Sequence, residues 1–138
     1  MAAGNGRDYG YRRRVQLSYD EAIQKVRETL KEQGFGVLTE IDVTGTLKQK
    51  LDKDFGRRYV ILGACNPHLA HRALNSELEL GLLLPCNVIV YEDGDGCVIA
   101  AVDPGAMLSI VGNPALDEVA DEAGKRLRTA IDRAAEGS

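Results

Sequence analysis

The residues best suited to chemistry are two cysteine–asparagine pairs, each beside a proline within an apolar stretch. They are Cys65-Asn66-Pro67 and Pro85-Cys86-Asn87. A buried strand favours valine and leucine at such positions, so these polar interruptions are the clearest sign of a site. A deprotonated thiol binds soft metals or takes part in redox chemistry, and two thiols brought together by the fold would suit either role.

Each pair also has a structural interpretation, and the sequence leaves both open. Asn66 is suited to cap a helix whose first residue is Pro67. A free cysteine is a common small residue of protein cores, so both thiols are equally compatible with inert packing. Asp103-Pro104 repeats the pattern of a capping residue followed by proline.

A hairpin prediction places a third polar residue near the second pair. Asp93-Gly94-Asp95-Gly96 is typical of a tight turn between two strands. If Glu92 pairs with Cys97, then Cys86 lies opposite Asp103, to within one or two residues. Cys97 is then roughly 20 Å from Cys86, at ~3.3 Å per residue, which is too far for a disulfide. The predicted binding residues are therefore Cys65, Asn66, Cys86, Asn87 and Asp103.

Two histidines follow the first pair in the pattern Cys65-x-x-His68-x-x-His71. A closed structural zinc site needs four ligands, and only Cys65 is an obvious third, so we predict no bound metal. No glycine-rich phosphate loop follows a strand, and no Ser/His/Asp set is evident. An enzymatic role is therefore uncertain and not favoured, and the sequence leaves any cofactor unknown.

The spacing of apolar residues predicts an alternating succession of strands and helices. Ser18 and Glu21 form a capping box at the start of a helix that ends at Gly34. Further helices are predicted over residues 43–51, 67–74 and 114–135, with a short one after Pro104. The predicted strands cover residues 12–17, 35–41, 59–64, 82–92 and 97–102. This order predicts a two-layer α+β sandwich, with a mostly antiparallel sheet and helices on one face.

Composition sets limits on class and surroundings. Of the 138 residues, 44% are hydrophobic and 28% charged, which is typical of one globular domain. We predict a flexible tail over residues 1–10 and a single domain over 11–138. The net charge is −4 and the basic residues are spread out apart from Arg12 to Arg14, which argues against nucleic-acid binding. No apolar run is long enough to span a membrane, and three cysteines indicate a reducing, cytoplasmic setting.

Several segments together resemble the domain-of-unknown-function family 302. They are residues 34–38 (Gly-Phe-Gly-Val-Leu), 46–48 (Thr-Leu-Lys), 61–67 (Ile-Leu-Gly-Ala-Cys-Asn-Pro), 82–88 (Leu-Leu-Leu-Pro-Cys-Asn-Val) and 103–104 (Asp-Pro). The resemblance implies a two-layer topology like that of the TATA-binding protein, without a DNA-binding role. It also implies homodimers, and it carries no activity.

Three hypotheses of function remain. The first is a homodimeric module that binds a small molecule in a polar pocket near Cys65 and Cys86. The second is a redox or soft-metal-binding protein that uses one of these thiols. The third is a structural or interaction domain without a ligand. The first is favoured because polar residues interrupt two otherwise apolar strands.

Overall fold

The computed structural model describes residues 9–136, which form five strands and five α-helices. The strands are β1 Gly10–Val15, β2 Gly36–Asp42, β3 Tyr59–Cys65, β4 Cys86–Asp93 and β5 Gly96–Val102. The helices are α1 Tyr19–Glu32, α2 Val43–Leu51, α3 Pro67–Ser76, α4 Pro104–Leu108 and α5 Asp117–Ala135. Two short 3₁₀ helices cover Leu78–Leu83 and Pro114–Leu116.

The strands form one antiparallel sheet in the order β1-β5-β4-β3-β2. Alternate residues of the central strands point to one face and are buried there, as Leu62, Val88 and Ala101 illustrate. The α1 and α5 helices pack against each other and supply the second layer of the core. The predicted α+β sandwich with an antiparallel sheet is confirmed.

Local sequence signals account for most helix starts. The Ser18 hydroxyl accepts from the Glu21 amide and the Glu21 carboxylate accepts from the Ser18 amide, so the predicted capping box is present. Asn66 and Asp103 cap α3 and α4, each followed by proline. At Asn113 the same device starts the Pro114–Leu116 turn, so α5 itself begins three residues later than predicted.

The β4–β5 hairpin has the predicted register. Glu92 lies opposite Cys97 and Asp93 opposite Gly96, and Gly94 adopts the left-handed conformation (φ 62°) that the tight turn requires. Pairing between β4 and β5 ends at Val88 and Ala101, while Cys86 and Asn87 continue to pair with β3 and Val102 with β1.

The largest difference from the sequence prediction lies before β4. Residues 82–92 were expected to form one strand, yet Leu78–Leu83 is a 3₁₀ helix and the strand starts at Cys86. Pro85 has no amide hydrogen to donate to a strand ladder, so regular pairing begins after it. A short apolar run does not itself distinguish a strand from a helical turn, because both can be buried.

The predicted tail, residues 1–10, lies outside the described residues except for Tyr9 and Gly10. The Tyr9 carbonyl accepts from the Asp103 amide, and Gly10 begins β1, two residues before the predicted start. Within residues 9–136, every helix is too short or too polar to cross a membrane.

Candidate functional site

A cavity of about 350 Å³ lies at the end of the sheet where β3 stops and β4 starts. The Cys65 end of β3 and the Cys86 end of β4 form one side. The opposite wall comes from α3, the 3₁₀ helix Leu78–Leu83, α4 and α5, through residues such as Leu69, Leu80 and Met107. The sheet and four helical segments therefore line one space that is partly open to solvent.

Three of the five predicted binding residues line this cavity, namely Cys65, Asn66 and Cys86. Asn87 and Asp103 are not among its lining residues. Asn87 lies opposite Gly63 and is exposed, because it is directed to the sheet face opposite that of its buried neighbours Cys86 and Val88. Asp103 accepts from the Gly105 amide at 3.0 Å as the cap of α4.

The cavity is apolar, whereas the sequence predicted a polar pocket. Its wall consists mainly of leucine, alanine and proline side chains, and no charged residue lines it. The predicted polar positions Asn87 and Asp103 are directed elsewhere, and the remaining wall comes from helices that sequence reasoning did not connect with the site. The leucine-rich segment 78–84 was the available signal, but its residues 82–84 were expected to belong to a strand.

Both thiols of the cavity are held in their neutral form. Burial, with a smaller contribution from the neighbouring Cys65, raises the pKa of Cys86 to about 11. Burial also raises the pKa of Cys65, which is half-buried. A nucleophilic or redox-active thiol needs a lowered pKa, so this environment disfavours both roles.

Cys97 lies at the other end of the sheet, beside the hairpin turn, and does not line the cavity. His68 and His71 are exposed on α3. Over residues 9–136, histidine, cysteine and acidic side chains form no group of three or more suited to a metal ion.

Asn66 is the principal polar side chain of the cavity wall and is only 7% exposed. Its Oδ1 accepts from the His68 amide at 3.1 Å and from the Leu69 amide at 3.2 Å. These two bonds fix the orientation of the side-chain amide. They serve the helix cap that the Asn-Pro sequence predicted.

A second feature is the sheet face that α1 and α5 leave open. A row of small and branched apolar residues crosses it, because Ile41, Ile61, Ile89 and Ala100 occupy neighbouring register positions. Next to this row the rings of Tyr59 and Tyr91 stack at 5.5 Å, and the Arg57 guanidinium lies 5.5 Å from the Tyr91 ring. An antiparallel sheet with a solvated face normally carries polar residues there.

The single antiparallel sheet, its one helical layer and the cavity at the sheet end define a two-layer α+β domain. The chain belongs to the domain of unknown function DUF302 family, whose model matches residues 11–134. It is similar to the crystal structure of the uncharacterised conserved protein DUF302 from Bacillus stearothermophilus. The two share 38% identity with a TM-score of 0.85, over 91% of this chain and 97% of that one. Comparison with curated proteins gives no match.

Proposed function

We propose that this chain is a binding module for a small, largely apolar molecule that occupies the cavity between Cys65, Cys86 and α3. The cavity volume of about 350 Å³ carries the proposal. It falls at the small end of the roughly 300–1,000 Å³ that ligand pockets occupy, which favours a compact ligand. Its wall is predominantly apolar, so an apolar molecule that enters it removes apolar surface from water.

Binding without catalysis agrees best with the chemistry of the wall. The two thiols are neutral, and no charged side chain lines the cavity to act as a base or to stabilise a developing charge. The three cysteines of the described chain are free, which supports a reducing, cytoplasmic setting.

The binding proposal is tested with α-methylstyrene, a compact neutral hydrocarbon, by following amide shifts in NMR spectra. We expect shifts at cavity residues such as Ala70 and Leu80. Ala70→Leu should abolish them, because a leucine at this half-buried position of α3 fills the space. Ala106→Leu is the matched control, since Ala106 is exposed and outside the cavity wall. Equal binding by both variants would contradict the proposal.

We also propose that the module acts as a homodimer whose subunits meet through the open sheet face. The apolar row through Ile61 and Ile89 supports this, because burying it in a second copy removes apolar surface from water. A two-fold axis, the commonest oligomer symmetry, would bring the same face of each copy together, so the apolar row of one subunit would meet that of the other.

A further inference from the structure

The cavity opens to solvent at β2. Among the described residues that line it, every side chain is buried or half-buried except those of Leu38 and Thr39, and Leu38 is 68% exposed. Gly81 is the other exposed residue of the wall, and it has no side chain. Leu38 and Thr39 therefore form the mouth of the cavity, where one side of a bound molecule would remain in contact with water.

The mouth lies on the open sheet face. Thr39 is paired with Gly63, and a Cβ on Gly63 would meet Thr39 Oγ1 and the Pro85 ring. Leu62 and Ala64, on either side of Gly63, are buried in the core between the sheet and the helices. Successive residues of a strand point to opposite faces, so this Cβ position and the Thr39 side chain beside it are on the open sheet face. The cavity thus passes around the end of the sheet, from the helical layer to the open face.

The mouth adjoins the apolar row of the open sheet face. Ile41 follows Thr39 by two residues on β2, so it is directed to the same face, and it lies opposite Ile61. At ~3.3 Å per residue, the mouth is roughly 7 Å from this row. A second copy of the chain seated on the row would therefore lie over the mouth as well.

We propose that the second subunit closes the mouth, so that the binding site is complete only in the dimer. This inference rests on the proposed binding function and on the proposed dimer. In the monomer, the ligand surface at Leu38 and Thr39 stays in water, whereas the dimer buries it. The ligand then binds the dimer more tightly than the monomer, and by reciprocity it stabilises the dimer. Covering roughly 55 Å² of apolar ligand surface accounts for about a tenfold difference in affinity.

The test measures binding of α-methylstyrene at wild-type concentrations above and below the dissociation constant of the dimer, which sedimentation supplies. We expect the affinity to fall about tenfold on dilution from dimer to monomer. Saturating α-methylstyrene should lower the dissociation constant of the dimer by about a hundredfold, because each dimer holds two sites. Equal affinity in dimer and monomer, with an unchanged dimer dissociation constant, would overturn the closure of the mouth and leave the binding function intact.

Ile89→Lys gives a second measurement. Ile89 lies in the apolar row and does not line the cavity, so a loss of affinity in this variant reports the missing subunit. We expect α-methylstyrene to bind it about tenfold more weakly than the wild-type dimer. Ile110→Lys is the matched control and should keep the wild-type affinity, because Ile110 is exposed and lies outside both the row and the cavity wall.

The remaining outcomes separate the inference from the functions on which it rests. Failure of α-methylstyrene to bind the wild-type chain at any concentration would overturn the binding function, and the inference with it. A wild-type chain that is monomeric throughout and still binds the probe would overturn the closure alone. The wild-type dilution series decides between these results even if Ile89→Lys is unstable.

Discussion

Cys86 on β4 lies directly opposite Ala64 on β3, and Cys65 is the next residue of β3. This register brings two thiols that are distant in sequence to the same end of the sheet, where both line the cavity. Cys97, by contrast, lies opposite Glu92 beside the hairpin turn. The three cysteines therefore divide by register into two that contact the cavity and one that does not.

Next to the cavity, the side chains of Thr39 and Pro85 pack closely against the backbone of Gly63. A Cβ on Gly63 would clash with Thr39 Oγ1 and lie 2.8 Å from Pro85 Cγ, and both side chains are stiff. We expect Gly63→Ala to lower the free energy of unfolding by about 1–3 kcal/mol, the usual cost of overpacking. Urea denaturation measures this.

Gly36 provides the control for Gly63. It lies on the neighbouring strand β2, and a Cβ there meets nothing within 4 Å. Gly36→Ala should leave the free energy of unfolding unchanged or raise it by up to about 1 kcal/mol, because alanine lowers the conformational entropy of the unfolded chain. A Gly63→Ala protein as stable as Gly36→Ala would contradict the close packing of β2, β3 and Pro85.

The neutral Cys86 thiol predicts that stability falls at alkaline pH. Its folded pKa is raised to about 11 from the ordinary value of 9.0, so the folded chain retains a proton that the unfolded chain releases. The stabilisation that the folded chain gains from the raised Cys86 pKa is complete below pH 9 and is lost as the pH rises through 11. At ~1.4 kcal/mol per pKa unit, the loss attributable to Cys86 is up to about 3 kcal/mol.

Urea denaturation between pH 8 and 11 checks this prediction. The Cys86→Ala variant is the comparison, because it lacks the titrating group. Its stability should decline less over this interval than that of the wild-type chain. Parallel pH profiles for the two proteins would show that the Cys86 pKa is not raised by folding.

Most of the fold could be predicted because its signals are local. The Ser18–Glu21 capping box, the Asn66-Pro67 helix start and the Asp93–Gly96 turn each specify backbone geometry through a few adjacent residues. The hairpin turn also fixed the register of β4 against β5, since each pair follows from the one before it.

The apolar lining of the cavity could not be predicted, because it depends on contacts between residues that are distant in sequence. Leu80 is buried in the cavity wall and Leu82 is 84% exposed, yet the two are equally apolar in sequence, and only the packing of Leu80 against the rest of the fold distinguishes them. Asn87 was expected to line the pocket with Cys86. Successive residues of a strand point to opposite faces of the sheet. Asn87, the second residue of β4, is therefore directed to the face opposite that of Cys86.

The different positions of Cys86 and Cys97 predict different effects of the same substitution. Both thiols are buried, but only Cys86 lines the cavity. Cys86→Ser places a hydroxyl in an apolar wall, so α-methylstyrene should bind more weakly, whereas Cys97→Ser should leave its affinity unchanged. NMR titration of both variants measures this, and equal losses would place the probe outside the cavity.

The proposed dimer makes the open sheet face sensitive to charge. Ile89 lies at the centre of the apolar row, between Ile61 and Ala100, so a lysine at this position would leave a charge buried between two subunits. We expect sedimentation to give a dimer for the wild-type chain at micromolar concentration and a monomer for Ile89→Lys.

Ile110→Lys is the matched control, because Ile110 is 75% exposed and follows α4, away from the sheet. It should remain dimeric. A monomeric wild-type chain would refute the dimer, and a dimeric Ile89→Lys variant would place the interface elsewhere.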